Sequence, residues 1–93
     1  MGFNTGQTVM TKAVAERFYN DKDTDFAWGV ISAMDKYTKE DWGDTSENDK
    51  PLNDEAVKTK DRIIAAYKIG EEKIWIITDC GHESTTILFP SEY

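Results

Sequence analysis

The segment Lys73–Asp79, KIWIITD, constrains the fold most tightly. Its β-branched and aromatic residues predict a strand. Side chains alternate along a strand, so Ile74, Ile76 and Thr78 share one face while Trp75, Ile77 and Asp79 share the other. Both faces are apolar in the middle. Such a strand is covered on both sides, or it keeps one side for an interface.

Neighbouring segments supply partners for it. Thr85–Phe89, TTILF, predicts a second strand, stopped by Pro90. The turn Cys80–Ser84, carrying Gly81, joins the two as a hairpin. Near the start, TGQTVMTK at Thr5–Lys12 predicts a short strand that adds to one edge.

Three helices are expected. Thr11 can cap the first, which begins at Lys12 and sets Val14 and Phe18 four apart on one face. The second starts near Thr24 or Asp25, and Phe26, Val30, Met34 and Tyr37 form its apolar stripe. Gly29 inside that helix costs about 1 kcal/mol against Ala, so it marks close packing of another element. A loop, KEDWGDTSENDKPLN, spans Lys39–Asn53. Asn53 or Asp49 can cap the third helix, with Pro51 suited to a first helical turn. Leu52, Ala56, Ile63, Ala66 and Tyr67 predict that it runs to about Lys68. The expected fold class is α+β: a three-stranded, mostly antiparallel sheet, made of the N-terminal strand and the C-terminal hairpin, packed with about three helices. The 93 residues form a single domain, 1–93.

The formal net charge is −7, from 18 acids and 11 bases. Docking on nucleic acid phosphates needs Lys and Arg to displace counterions, so direct nucleic-acid binding is not expected. An anionic membrane is disfavoured for the same reason. No run approaches the roughly 20 apolar residues that span a bilayer, and no basic-then-apolar leader opens the sequence. A cytoplasmic protein is expected. Cys80 is the only cysteine, so no intramolecular disulfide is possible.

Chemistry-bearing motifs are sparse. Neither GxGxxG nor GxxxxGK[ST] occurs. His82 is the only histidine and lies beside Asp79, Cys80 and Glu83 in one turn. Those ligands are too close along the chain for a zinc site, and no second Cys or His pair exists. A solvated turn is expected there. Cys80 and His82 lack a third group to complete a thiol catalyst. No cofactor, metal or catalytic residue is expected.

Charge placement does stand out. Between Asp35 and Glu55 lie Asp35, Glu40, Asp41, Asp44, Glu47, Asp49, Asp54 and Glu55. These eight acids face three lysines, a net of −5. Trp42 sits among them. An aromatic amid acids can anchor an interface, or it can fold back to seal the core while the acids face outward. The second arrangement is expected for Trp42. With the eight acids, Trp42 completes the candidate partner-binding set.

Several stretches carry a family resemblance. They are TGQTVMTKAVAE, DWGD at Asp41–Asp44, Asn53–Ala56, IIAAYK, KIWIITD and TTILFPSEY. Over most of its length the chain resembles small proteins of bacterial plasmids, phages and integrated elements. Such proteins often carry the label of a type I restriction enzyme modification subunit or a plasmid-related protein. The resemblance implies a mobile-element accessory protein and transfers no catalytic residue. A methyltransferase would need a glycine-rich strand-to-helix turn and an Asn/Asp-Pro-Pro-aromatic segment, and neither is present.

Together these readings predict a non-enzymatic inhibitor of a host defence nuclease complex, of anti-CRISPR or anti-restriction type. Its partner would be a basic nucleic-acid-binding surface. Two alternatives differ in class. One is a regulatory module that forms a homodimer through the Ile74–Ile77 face. The other is a small-molecule-binding protein or small enzyme using Asp79, His82 and Ser84.

Overall fold

A computed structural model describes residues 3–93. The elements run β1 (Gln7–Met10), α1 (Lys12–Phe18), α2 (Thr24–Thr38), α3 (Lys50–Thr59), β2 (Ile63–Ile69), β3 (Glu72–Thr78) and β4 (Ser84–Leu88), then a 3₁₀ turn at Pro90–Glu92. The class is α+β, as expected. The sheet is not: it has four strands in the order β1-β4-β3-β2, with β1 parallel to β4. The three-stranded, mostly antiparallel sheet is therefore corrected to a four-stranded mixed one.

The added strand is the second half of the expected third helix. That helix stops at Lys60, which takes a left-handed conformation at φ 63°. Beyond it, Ile63, Ala65 and Tyr67 are buried in strict alternation. The period of two prevails because Gly70, at φ 63°, opens a two-residue loop that folds Ile69 back against Glu72. Pairing with β3 then satisfies the facing backbone edges of both strands. A helix here would leave β3 with an unpaired edge.

The other elements follow their sequence signals. Thr11 Oγ1 accepts from the Val14 N–H and caps α1. Phe26, Val30 and Tyr37 of α2 are buried as the stripe requires, with Ala33 among them and Met34 at the margin. Gly29 does mark a close approach: a Cβ there would lie 2.5 Å from Ile69 Cγ2. One buried cluster joins α1, α2 and α3 to the sheet face carrying Ile63, Ala65, Tyr67, Ile74, Ile76 and Ile87. The opposite face carries two cross-strand rows, Ala66–Trp75–Leu88 and Ile64–Ile77–Thr86–Val9.

Polar ties fix the layers. Arg17 donates from Nη1 to both carboxylate oxygens of Glu72, at 2.8 and 2.7 Å, and from Nε to Asp23. Its guanidinium also lies 4.5 Å from the centre of the Phe26 ring. Inside the core runs a chain of hydroxyls. Thr85 Oγ1 donates to the Thr5 carbonyl, which can only accept. With that proton committed, Thr78 must donate to Thr85, and Tyr37 to Thr78, at 2.7 and 2.5 Å. No buried side-chain polar atom among the described residues lacks a partner.

Candidate functional site

The acidic segment is built onto the outer edge of β2. Exposed strand edges offer unpaired backbone groups, and here the loop between α2 and α3 covers them. The Asp44 N–H donates to the Ala66 carbonyl at 2.8 Å. Thr45 Oγ1 accepts from the Ala66 N–H at 3.0 Å, and Asp44 Oδ2 accepts from the Lys68 N–H at 2.9 Å. Asn53 Nδ2 donates to the Ile64 carbonyl. Gly43 forms an isolated bridge with Ala66 in the parallel sense. The loop therefore runs as a short rail beside the sheet. Gly43 is required for this: its φ is 59°, and a Cβ would lie 2.5 Å from the Tyr67 ring.

Trp42 pins the loop from inside. Its side chain packs edge-on to Tyr37 with ring centres 5.4 Å apart, and the residue is 3% exposed. The indole N–H donates to Asp54 Oδ1 at 2.8 Å. Trp42 thus seals the core, the arrangement expected for it, and at 3% exposure it gives the candidate partner-binding set almost no surface.

All eight acids are exposed, but their duties differ. Asp54 holds Trp42. Asp44 holds the β2 edge, and Asp41 Oδ1 accepts from the Gly43 N–H. Asp35 pairs with Lys39 at 3.0 Å, and Glu47 with Lys50 at 2.8 Å. Glu40, Asp49 and Glu55 make no side-chain hydrogen bond among the described residues. Glu47 bonds Lys50 directly, while Asp41 and Asp44 act on the same cation through their charges. The Lys50 ammonium pKa is raised, first by its hydrogen bond to Glu47 and further by the charges of Asp41 and Asp44. Two phenols beneath the loop are also shifted. Burial pushes the pKa of Tyr37 and Tyr67 above the ordinary tyrosine value. The Tyr67 hydroxyl donates to the Asp41 carbonyl at 2.7 Å.

Beside this rail lies a groove of about 440 Å³ that the sequence reading missed. Asp44, Asp49, Leu52, Ile64, Trp75 and Tyr93 are among the residues that line it. A helix through Ile64 and Ala66, as the sequence predicts, has no such groove; in the strand these residues line it. The alternation of Ile63, Ala65 and Tyr67 is the signal that would have found it.

The remaining candidates gather at the opposite end of β4. His82 is buried rather than solvated, which corrects the expected turn: it is 8% exposed, and Nε2 lies 2.8 Å from the Asp61 carbonyl. A carbonyl only accepts, so Nε2 carries the proton. Ser84 donates to Asp79 at 2.9 Å, and Cys80 is exposed. The nearby cleft of about 450 Å³ is lined by His82, Lys60, Glu83 and Phe3, among others, and takes neither Asp79 nor Ser84. Among the described residues no three of His, Cys, Asp or Glu stand together as metal ligands, and no helix is long and apolar enough to cross a membrane. In the expected dimer face, Ile74 and Ile76 are fully buried against the helices and Ile77 is 6% exposed.

Comparison with protein-family models, curated proteins and solved structures found no match.

Proposed function

We propose that this domain is a non-catalytic inhibitor that binds the basic nucleic-acid groove of a bacterial defence nuclease complex, with its acidic rail as the docking surface. The observation that carries the reading is the rail itself. Eight exposed carboxylates occupy 21 residues, and backbone bonds to β2 and the buried Trp42 hold that segment in place. A surface fixed before binding loses little conformational freedom when it docks. Complementary charge also speeds association, so binding should be fast and salt-sensitive. A defence target is proposed over other basic surfaces on the expected resemblance to mobile-element proteins.

The test is affinity capture of the tagged protein from a bacterium with active restriction and CRISPR systems. It is run in parallel with a variant carrying Glu40→Gln, Glu47→Gln, Asp49→Asn and Glu55→Gln. These positions are exposed and none of them holds the edge of β2. Recovery of a nuclease complex by the native protein, lost in the variant, supports the reading. Equal recovery of the same partner by both proteins would remove the acids from the mechanism.

A further inference from the structure

We propose that the groove beside the rail is a specificity pocket, which takes an apolar side chain from a Lys/Arg-rich segment of the partner protein. This rests on the reading of the acidic rail as a docking surface and adds a second, uncharged determinant to it.

The groove lies on the sheet face turned away from the core cluster. Its floor is Ile64 and Ala66 of β2 and Trp75 of β3, with Ala66 and Trp75 directly paired across the strands. Leu52, from the first turns of α3, forms one wall and is 66% exposed. Tyr93 forms the other wall, its ring 5.3 Å from that of Trp75 and 64% exposed. An exposed leucine facing an exposed tyrosine across an apolar floor leaves surface that a partner can dry.

Charge selects the occupant. Asp44 and Asp49 stand on the rim, and Glu47 lies between them in sequence. Arg62 is the one cation among the lining residues. Its guanidinium is directed to the Tyr93 ring, 5.3 Å from the ring centre. An apolar floor under an acidic rim repels anionic ligands and holds most tightly a cationic segment that also has an apolar residue to insert. A volume of about 440 Å³ suits one or two side chains rather than a whole helix. The sheet edge beside the groove is already closed by Asp44, Thr45 and Asn53, so an added β-strand is not the mode of binding.

Two peptides test this on the intact protein: Lys-Lys-Leu-Lys-Lys and Lys-Lys-Gly-Lys-Lys, titrated into the ¹⁵N-labelled domain at low salt. The leucine peptide should bind about tenfold tighter, the effect of a partly buried aliphatic side chain. It alone should shift the Trp75 indole and the Ile64 and Ala66 amides. Leu52→Ser lies on an exposed wall and should bring the leucine peptide down to the affinity of the glycine peptide. Equal binding of both peptides, with shifts confined to residues 40–55, would overturn the pocket and leave the acidic rail standing. Binding of neither peptide would overturn both readings.

Discussion

Trp42 donates its indole N–H to Asp54, so one of the eight acids is committed to holding the core closed. Asp54→Ala should therefore cost about 1–2 kcal/mol, because it strands a largely buried donor. Asp54→Asn keeps an acceptor oxygen and should cost less than half as much. Trp42→Ala should cost about 3–5 kcal/mol through the cavity it leaves. Urea unfolding curves separate the three. An Asp54→Ala protein as stable as the native one would show that the indole bond contributes nothing.

Thr45 ties the loop to the edge of β2, donating to the Trp42 carbonyl at 2.6 Å within the loop while accepting from the Ala66 N–H. Thr45→Val keeps the shape and removes both bonds. It should lower stability by about 1–3 kcal/mol. The change should also speed hydrogen exchange at Ala66 and Lys68 more than at Ile76, which lies inside the sheet. Uniform acceleration across all strands would mean that the loop is not a separate cover for the edge.

Gly43→Ala should be more harmful than its size implies. A side chain at φ 59° is strained by about 1–2 kcal/mol, and the new Cβ meets the Tyr67 ring. Overpacking of this kind adds about 1–3 kcal/mol. Thermal unfolding checks the sum, and a loss below 1 kcal/mol would show that the loop shifts freely away from β2.

The pH dependence follows from the two buried phenols. Their pKa values in the folded protein are raised above the model-peptide value of 10.0. Above pH 10 the unfolded chain thus releases protons that the folded chain retains. Stability from these groups is complete below pH 10 and falls as the pH rises past it. Urea midpoints measured from pH 7 to 11 should be flat with respect to these groups and then decline. Tyr67→Phe should make the decline shallower by one proton's worth, though it starts from a lower stability for want of the bond to Asp41. An unchanged slope would show that Tyr67 titrates as if exposed.

Much of the scaffold was legible because its signals are local. The Phe26, Val30 and Tyr37 stripe, the Thr11 cap and the β3–β4 hairpin each depend on neighbours a few residues apart. Gly29 was legible as a close contact, though its partner Ile69 was not. The segment Ile63–Ile69 failed because Leu52, Ala56, Ile63, Ala66 and Tyr67 also satisfy a helical period. Only pairing with β3 decides between the two, and a run of apolar residues does not record that choice. The parallel alignment of Gln7 with Ser84 joins the two ends of the domain and has no local signature. The acids are read directly from the chain, but their division into structural and unengaged groups depends on the β2 edge. A chain position read as helix hides that edge.

The proposed inhibition requires that the exposed carboxylates free of the β2 edge, Glu40, Glu47, Asp49 and Glu55, occupy a site where nucleic acid binds. The most direct measurement is displacement of a fluorescent DNA or RNA duplex from the captured nuclease complex, followed by anisotropy. The native domain should displace the duplex, and displacement should weaken steeply as salt rises. The variant neutralised at Glu40, Glu47, Asp49 and Glu55 should be at least about tenfold poorer while unfolding at the same urea concentration. Displacement by the neutralised variant as effective as that by the native protein, at every salt concentration, would contradict the proposed inhibition.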